Sequence, residues 1–170
     1  MLKSTLKSIA ILMVIALFSA CKKSEVTPET GEVAPNFSLT DVSGNTVKLS
    51  DYQGKVVVLF FFGNSCPSCK AVGPSIQSKF ADAYAKNSNF AILGLDQWDG
   101  DKKSVESFQS VTGIKFPLLL NASPIADAYK TVYDRLIVID KKGFIRFRGT
   151  QVATNDLDQA KATVDKYLAQ

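Results

Sequence analysis

Histidine is absent from the 170 residues, and the only two methionines, Met1 and Met13, fall within the first twenty. The chain therefore has no imidazole base for a nucleophilic triad. Downstream of residue 20 it has neither imidazole nor thioether to complete a soft-metal site. Cysteine is scarce as well: three in all, divided into Cys21 and the pair Cys66 and Cys69. The unbroken apolar run at residues 9–18 is too short for a spanning helix, which needs about 20 apolar residues. Neither sign of charge dominates. The formal net charge of +4 falls to +2 without the leader, which holds Lys3 and Lys7 and no acid, and so mild a balance does not point to nucleic acid. A composition of 46% hydrophobic and 21% charged residues excludes a disordered chain and a multi-span membrane protein, and the length suits one domain.

What is present begins with a targeting pattern. Lys3 and Lys7, the apolar run at 9–18, and small Ser19 and Ala20 ahead of Cys21 follow the order of a secretory signal. Leu17-Phe18-Ser19-Ala20-Cys21 resembles a bacterial lipobox, in which the cysteine becomes the mature N-terminus and carries lipid. The expected organisation is a lipoprotein signal peptide at 1–20, lipidated Cys21 with a polar tether at 21–32, and one domain at 33–170. That address is the cell envelope, on a bacterial membrane facing the periplasm or exterior, since two acyl chains on one residue make association stable. A plain signal peptide, with Cys21 incidental, is the alternative.

From residue 33 strands and helices alternate. Phe37-Ser38-Leu39 and Val47-Lys48-Leu49 flank Ser43-Gly44-Asn45 and read as a hairpin. Residues 55–62 form a continuous apolar run, as in a strand buried on both faces. A helix is expected from Cys66 to about Lys86, with Ile76, Phe80 and Tyr84 along one side and a kink at Gly73-Pro74. A second buried strand follows at 90–95. An amphipathic helix at 102–111 turns Val105, Phe108 and Val111 inward and stops at Gly113. Residues 116–120 are extended, and Ser123-Pro124 caps a helix reaching about Lys130. Residues 136–139 and 144–148 flank Asp140-Lys141-Lys142-Gly143 as an antiparallel hairpin with edge strands, and residues 154–168 form the last helix. The fold class is α/β, a mixed central sheet with helices on both faces. Trp98, in a loop with Asp96, Asp99 and Asp101, reads as a packing residue or as the flank of a substrate cleft. The charges at 99–103 read as a solvated loop.

Cys66-Pro67-Ser68-Cys69 falls where a buried strand turns into a helix. A cysteine at a helix start meets free backbone N–H groups and the positive end of the dipole, both of which favour its thiolate. Cys66 is thus expected to be the exposed attacking thiol. Cys69, one turn along and more buried, would resolve the mixed disulfide. Pro67 fits the first helical position, where its missing N–H had no partner. Other readings of the pair are weaker. A structural bridge over so short a loop constrains little chain entropy, and half a zinc site lacks two further ligands.

Taken in order, Ala34-Pro35-Asn36-Phe37-Ser38-Leu39, residues 49–58, residues 61–70 around the two cysteines, Pro74, residues 116–119 and residues 137–143 resemble the thioredoxin superfamily. The branch is that of membrane-tethered TlpA/ResA-like and AhpC/TSA-like (redoxin) proteins. The resemblance implies a thioredoxin-like fold over 33–170 and a thiol–disulfide oxidoreductase with no cofactor beyond its own Cys66–Cys69 disulfide. It implies client proteins bearing thiols or disulfides and a membrane electron donor as partners. Three positions depart from the branch. The cis-proline expected before the strand at 136 is replaced by Tyr133-Asp134-Arg135, with Asp134 the nearest equivalent. Val72 replaces an acid and Ser65 replaces a tryptophan. Pro67, Ser68, Asp134 and Arg135 are therefore the expected substrate-proximal residues. Asp134 either acts near the thiols, raising their pKa or accepting a proton, or points to solvent. Two other functions compete. A peroxiredoxin-type peroxidase would use Arg135 but lacks a proline ahead of Cys66 in the loop. A copper carrier would need the missing histidine or methionine ligands.

Overall fold

The computed structural model of the protein describes residues 31–170, so the expected signal, Cys21 and most of the tether lie outside the described residues. Ser38–Thr40 (β1) and Thr46–Lys48 (β2) pair antiparallel as the expected hairpin. The Asp41 carboxylate closes its turn by accepting the backbone N–H groups of Ser43 and Asn45, both at 2.8 Å. Val56–Phe62 (β3) is buried along its whole length, because it is the middle strand of five and packs on both faces.

Phe90–Asp96 (β4) runs parallel to β3 in register, Val56 beside Phe90 and Phe62 beside Asp96. Leu118–Leu119 (β5) extends the sheet beyond β4. On the other side Arg135–Ile139 (β6) pairs antiparallel with β3, and Ile145–Arg148 (β7) pairs antiparallel with β6. The order is β5-β4-β3-β6-β7, so only β7 of the final hairpin is an edge; β6 is interior, contrary to the expectation of two edge strands. Alternate β3 side chains divide the core. Val56, Val58, Phe60 and Phe62 face the cluster that holds Cys66 and Cys69, and Val57, Leu59 and Phe61 face the cluster beneath the hairpin.

Helices cover both faces. Pro67–Ile76 (α1), Lys102–Thr112 (α2) and Ala153–Leu168 (α4) supply the first cluster, and Ser123–Ala128 (α3) with the hairpin supplies the second. Three local expectations need correction. The helix expected from Cys66 to about Lys86 is α only as far as Ile76, with Pro74 inside it, and goes on as a π-helical turn at Gln77–Asp82. Gly73 serves close packing, for a Cβ there would lie 2.7 Å from Thr112 Cβ on α2. Val111 is 66% exposed, because two steps of three residues from Val105 rotate it off the apolar stripe; Thr112, seven residues on, is buried in its place. Ser123 is itself the first helical residue of α3, and its N–H donates to Asp99 Oδ1 at 3.0 Å, so the cap comes from Asp99.

The β6–β7 turn is built on Asp140, whose carboxylate accepts Lys142 N and Phe144 N at 2.9 Å and Arg146 Nε at 2.7 Å. Gly143 supplies the left-handed backbone there, at φ 84°. Burial works to raise the Asp140 pKa, but the hydrogen bonds from Phe144, Arg146 and Lys142 outweigh it and hold the group below the ordinary aspartate value. A depressed carboxylate adds stability above its unfolded pKa and loses it as pH falls through the folded one. Asp140→Asn is expected to lose about 1–2 kcal/mol at pH 7. In urea titrations at several pH values, that difference from wild type shrinks in strongly acidic solution.

Candidate active site

β3 ends at Phe62, and the chain turns through Gly63, Asn64 and Ser65 into α1. Cys66 is the N-cap of α1, with extended backbone, and Pro67 is the first helical residue. The backbone N–H of Cys69 donates to Cys66 Sγ at 3.2 Å, a cap made by sulfur where serine or aspartate more often serves. Ser68 Oγ lies 3.2 Å from the same sulfur. Cys66 and Cys69 are joined as a disulfide, with Cα atoms 5.3 Å apart. The expected neighbourhood of the two sulfurs at a helix start is therefore present.

The expected exposure of Cys66 is not. It is 1% exposed, and Cys69 is fully buried, both packed into the apolar cluster of α1, α2 and α4. The disulfide turns Cys66 Sγ inward toward Cys69. Its neighbours Ser65, Pro67 and Ser68 are exposed, so the sulfur lies just under a polar rim. Trp98 packs its ring against Gly63, where an added Cβ would overlap the indole, and meets Tyr133 edge-on at 4.9 Å between centroids. Gly63 O in turn accepts the Cys66 N–H at 2.9 Å. Trp98, 42% exposed, is both a packing residue and part of this rim.

A buried strand, a sulfur-capped helix and a C-x-x-C disulfide at their junction are the arrangement of a dithiol exchanger, and comparison with known proteins agrees. The AhpC/TSA family model matches residues 30–148. The chain belongs to the AhpC/TSA family. It resembles the thioredoxin-like protein YneN of Bacillus subtilis, at 29% identity over 86% of this chain and 89% of that one. It also resembles the thiol-disulfide oxidoreductase ResA of Geobacillus kaustophilus, at 30% identity over 81% of this chain and 75% of that one. A candidate protein disulfide isomerase from Bacteroides thetaiotaomicron shares the fold, with TM-score 0.75, 28% identity, and coverage of 83% of this chain and 91% of that one. The domain is a thioredoxin-fold member of the redoxin branch and a thiol–disulfide oxidoreductase with a C-x-x-C pair.

At the position where the branch places its cis-proline, Asp134 has a trans peptide and left-handed backbone at φ 57°. The side chain does not point to solvent: it is 3% exposed, and Oδ1 has no hydrogen-bond partner within the protein. Its charge is felt at Asp156, which belongs to a small network with Thr150 and with Arg135, the next residue in the chain. Arg135 Nε donates to the Thr150 carbonyl at 3.3 Å, and Thr150 Oγ1 donates to the Asp156 carboxylate at 3.1 Å. Asp156 is held above the ordinary aspartate value, first by burial, with the Asp134 charge adding to it and Thr150 and Arg135 opposing. Desolvation, then Arg148, lowers the Arg135 pKa. An orphaned carboxyl oxygen and a non-glycine residue at positive φ are both unfavourable. Asp134→Gly relieves both and is expected to raise stability by about 1–2 kcal/mol, read as a higher urea midpoint at unchanged slope.

The sequence reading missed the group that ties this junction together. Asp96, expected in the loop that holds Trp98, is the last residue of β4 and fully buried. Its Oδ1 accepts Asn64 N at 3.0 Å, and its Oδ2 accepts Asn64 Nδ2 at 3.0 Å and Gly100 N at 2.8 Å. The available signal was an acid closing an apolar strand in register with the end of the strand that leads into the cysteines.

Proposed function

We propose that the protein reduces disulfides in client proteins outside the cytoplasm, with Cys66 as nucleophile and Cys69 as resolving thiol. The observation that supports this most is the Cys69 N–H directed at Cys66 Sγ from the first turn of α1. The same donor and the helix dipole stabilise a thiolate on that sulfur once the disulfide is open. In the reduced protein the Cys66 thiolate attacks one sulfur of a client disulfide, forming a mixed disulfide and releasing one client thiolate. The Cys69 thiol then gives up its proton and attacks Cys66 Sγ. This closes the intramolecular disulfide and releases the second client thiolate, so two electrons have passed to the client. A dithiol donor at the membrane returns them. Pro67 and Ser68, exposed on the rim, lie where a client would approach.

The address follows from the leader. A lipid on Cys21 and a tether to residue 32 would hold the domain at the membrane surface, facing periplasm or exterior, and among the described residues no helix is long and apolar enough to span. Incorporation of radiolabelled palmitate, lost in Cys21→Ala, tests the anchor. The direction of exchange is tested by the equilibrium reduction potential of the couple. A value below about −200 mV supports a reductase, and one near −120 mV makes the protein an oxidant. Peroxide consumption by reduced wild type no faster than by Cys66→Ser separates this chemistry from that of a peroxidase.

A further inference from the structure

Asp96 is an ionisable side chain with no exposure, at the carboxyl end of a central strand, and the exchange chemistry described above does not use it. A carboxyl group so deeply buried is tolerated only where hydrogen bonds replace its lost water. Here they come from two loops. Asn64 donates its backbone N–H and its side-chain amide, each at 3.0 Å, from the segment that leads into Cys66. Gly100 N donates at 2.8 Å, and Trp98 N more weakly at 3.4 Å, from the loop that follows β4. The loops are fitted to one another around this group: a Cβ on Gly100 would overlap the Asn64 amide, and one on Gly63 would overlap the Trp98 ring. From Asn64 the contacts continue toward the sulfur. Ser65 Oγ donates to Asn64 Oδ1 at 2.9 Å, and Gly63 O fixes the Cys66 N–H at 2.9 Å.

We propose that Asp96 is a positioning residue for disulfide exchange, holding through Asn64 and the Trp98 loop the backbone from which Cys66 attacks. The inference rests on the function proposed above and assigns Asp96 no contact with the sulfurs. Thiolate attack on a disulfide requires the incoming sulfur in line with the bond that breaks, and misplacement of a nucleophile by a fraction of an ångström slows the reacting step more than client binding. The Cys66 backbone hangs on Gly63–Ser65, and Asp96 is the group that fixes Asn64 within that segment. It also sets where the half-exposed Trp98 ring stands on the rim.

The test uses the full-length protein and a small protein disulfide substrate such as insulin, with three variants. Asp96→Asn keeps the shape but turns one acceptor into an NH2 facing N–H donors. Asn64→Ala removes the side-chain link while leaving Asp96 its other donors. Asp41→Asn is the control, a comparably bonded carboxylate in the β1–β2 turn. Expected is a fall of about tenfold in the rate of mixed-disulfide formation for Asp96→Asn, the size of one lost charge-assisted hydrogen bond, with KM changed less than about twofold. Asn64→Ala falls in the same sense by about threefold, and the change in Trp98 emission on reduction is diminished in both. Asp41→Asn loses stability and keeps its rate. Wild-type rates in both Asp96→Asn and Asn64→Ala overturn the inference, as does a rate loss in Asp41→Asn that tracks its urea midpoint. A wild-type protein that does not exchange at all overturns the proposed function instead.

Discussion

Cys69→Ser stops turnover and accumulates a covalent adduct between Cys66 and its client, whereas Cys66→Ser forms no adduct. The two outcomes differ because the two sulfurs stand in different places. Cys66 caps α1 and receives the Cys69 N–H, so its thiolate is stabilised by a donor that remains when residue 69 is serine, the bond being to the backbone. Cys69 lies one turn along, without that donor, and its Cα is 5.3 Å from that of Cys66, close enough to close the ring. Serine at 69 cannot attack the mixed disulfide, so the adduct persists. Both variants fall to the uncatalysed background in a disulfide-reduction assay, a loss on the order of a thousandfold. Mass spectrometry of the Cys69→Ser adduct should place the client on residue 66. An adduct on residue 69 in Cys66→Ser, at the same rate, would show the two sulfurs to be equivalent.

Phe62→Ala has the largest expected effect on stability. Phe62 is fully buried at the end of the central strand, its ring 4.3 Å from that of Phe108 and 5.7 Å from that of Phe60, both stacked. Truncation removes apolar area and leaves a cavity between β3 and α2 that rigid neighbours fill only in part, for a loss of about 3–5 kcal/mol. That is a large share of the roughly 5–15 kcal/mol a domain of this kind has. Val132→Ala, at a half-exposed valine, should change stability by less than about 0.5 kcal/mol. Urea unfolding of both, with the disulfide kept intact, checks the contrast. A loss under about 1 kcal/mol for Phe62→Ala would mean that the aromatic stack does not carry the packing assigned to it.

The strands were legible wherever burial on both faces left an uninterrupted apolar run, as at Val56–Phe62, or where turn residues punctuated alternation, as at Asp140-Lys141-Lys142-Gly143. The cysteine pair was legible because its chemistry depends on spacing and on a strand-to-helix junction, both local properties. What was not legible depends on neighbours distant in sequence. Whether β6 is an edge is settled by its pairing with β3, about eighty residues earlier in the chain. Asp96 looked like one more acid in the Trp98 loop, since its donors at Asn64 come from the turn after β3, 32 residues earlier. Asp134 was placed by resemblance, but its burial and its unpaired oxygen are set by the tertiary fold and not by its neighbours in sequence. The exposure expected of Cys66 failed for a related reason: a helix N-terminus is open in isolation, and here the disulfide turns its sulfur into the core.

The most direct measurement is the pH dependence of alkylation at each cysteine of the freshly reduced protein, read by peptide mass spectrometry. Cys66 is expected to react first and far faster than Cys69, with a midpoint below that of a free thiol, about 8.5. Equal rates at the two positions, or a Cys66 midpoint at or above the free-thiol value, would contradict it.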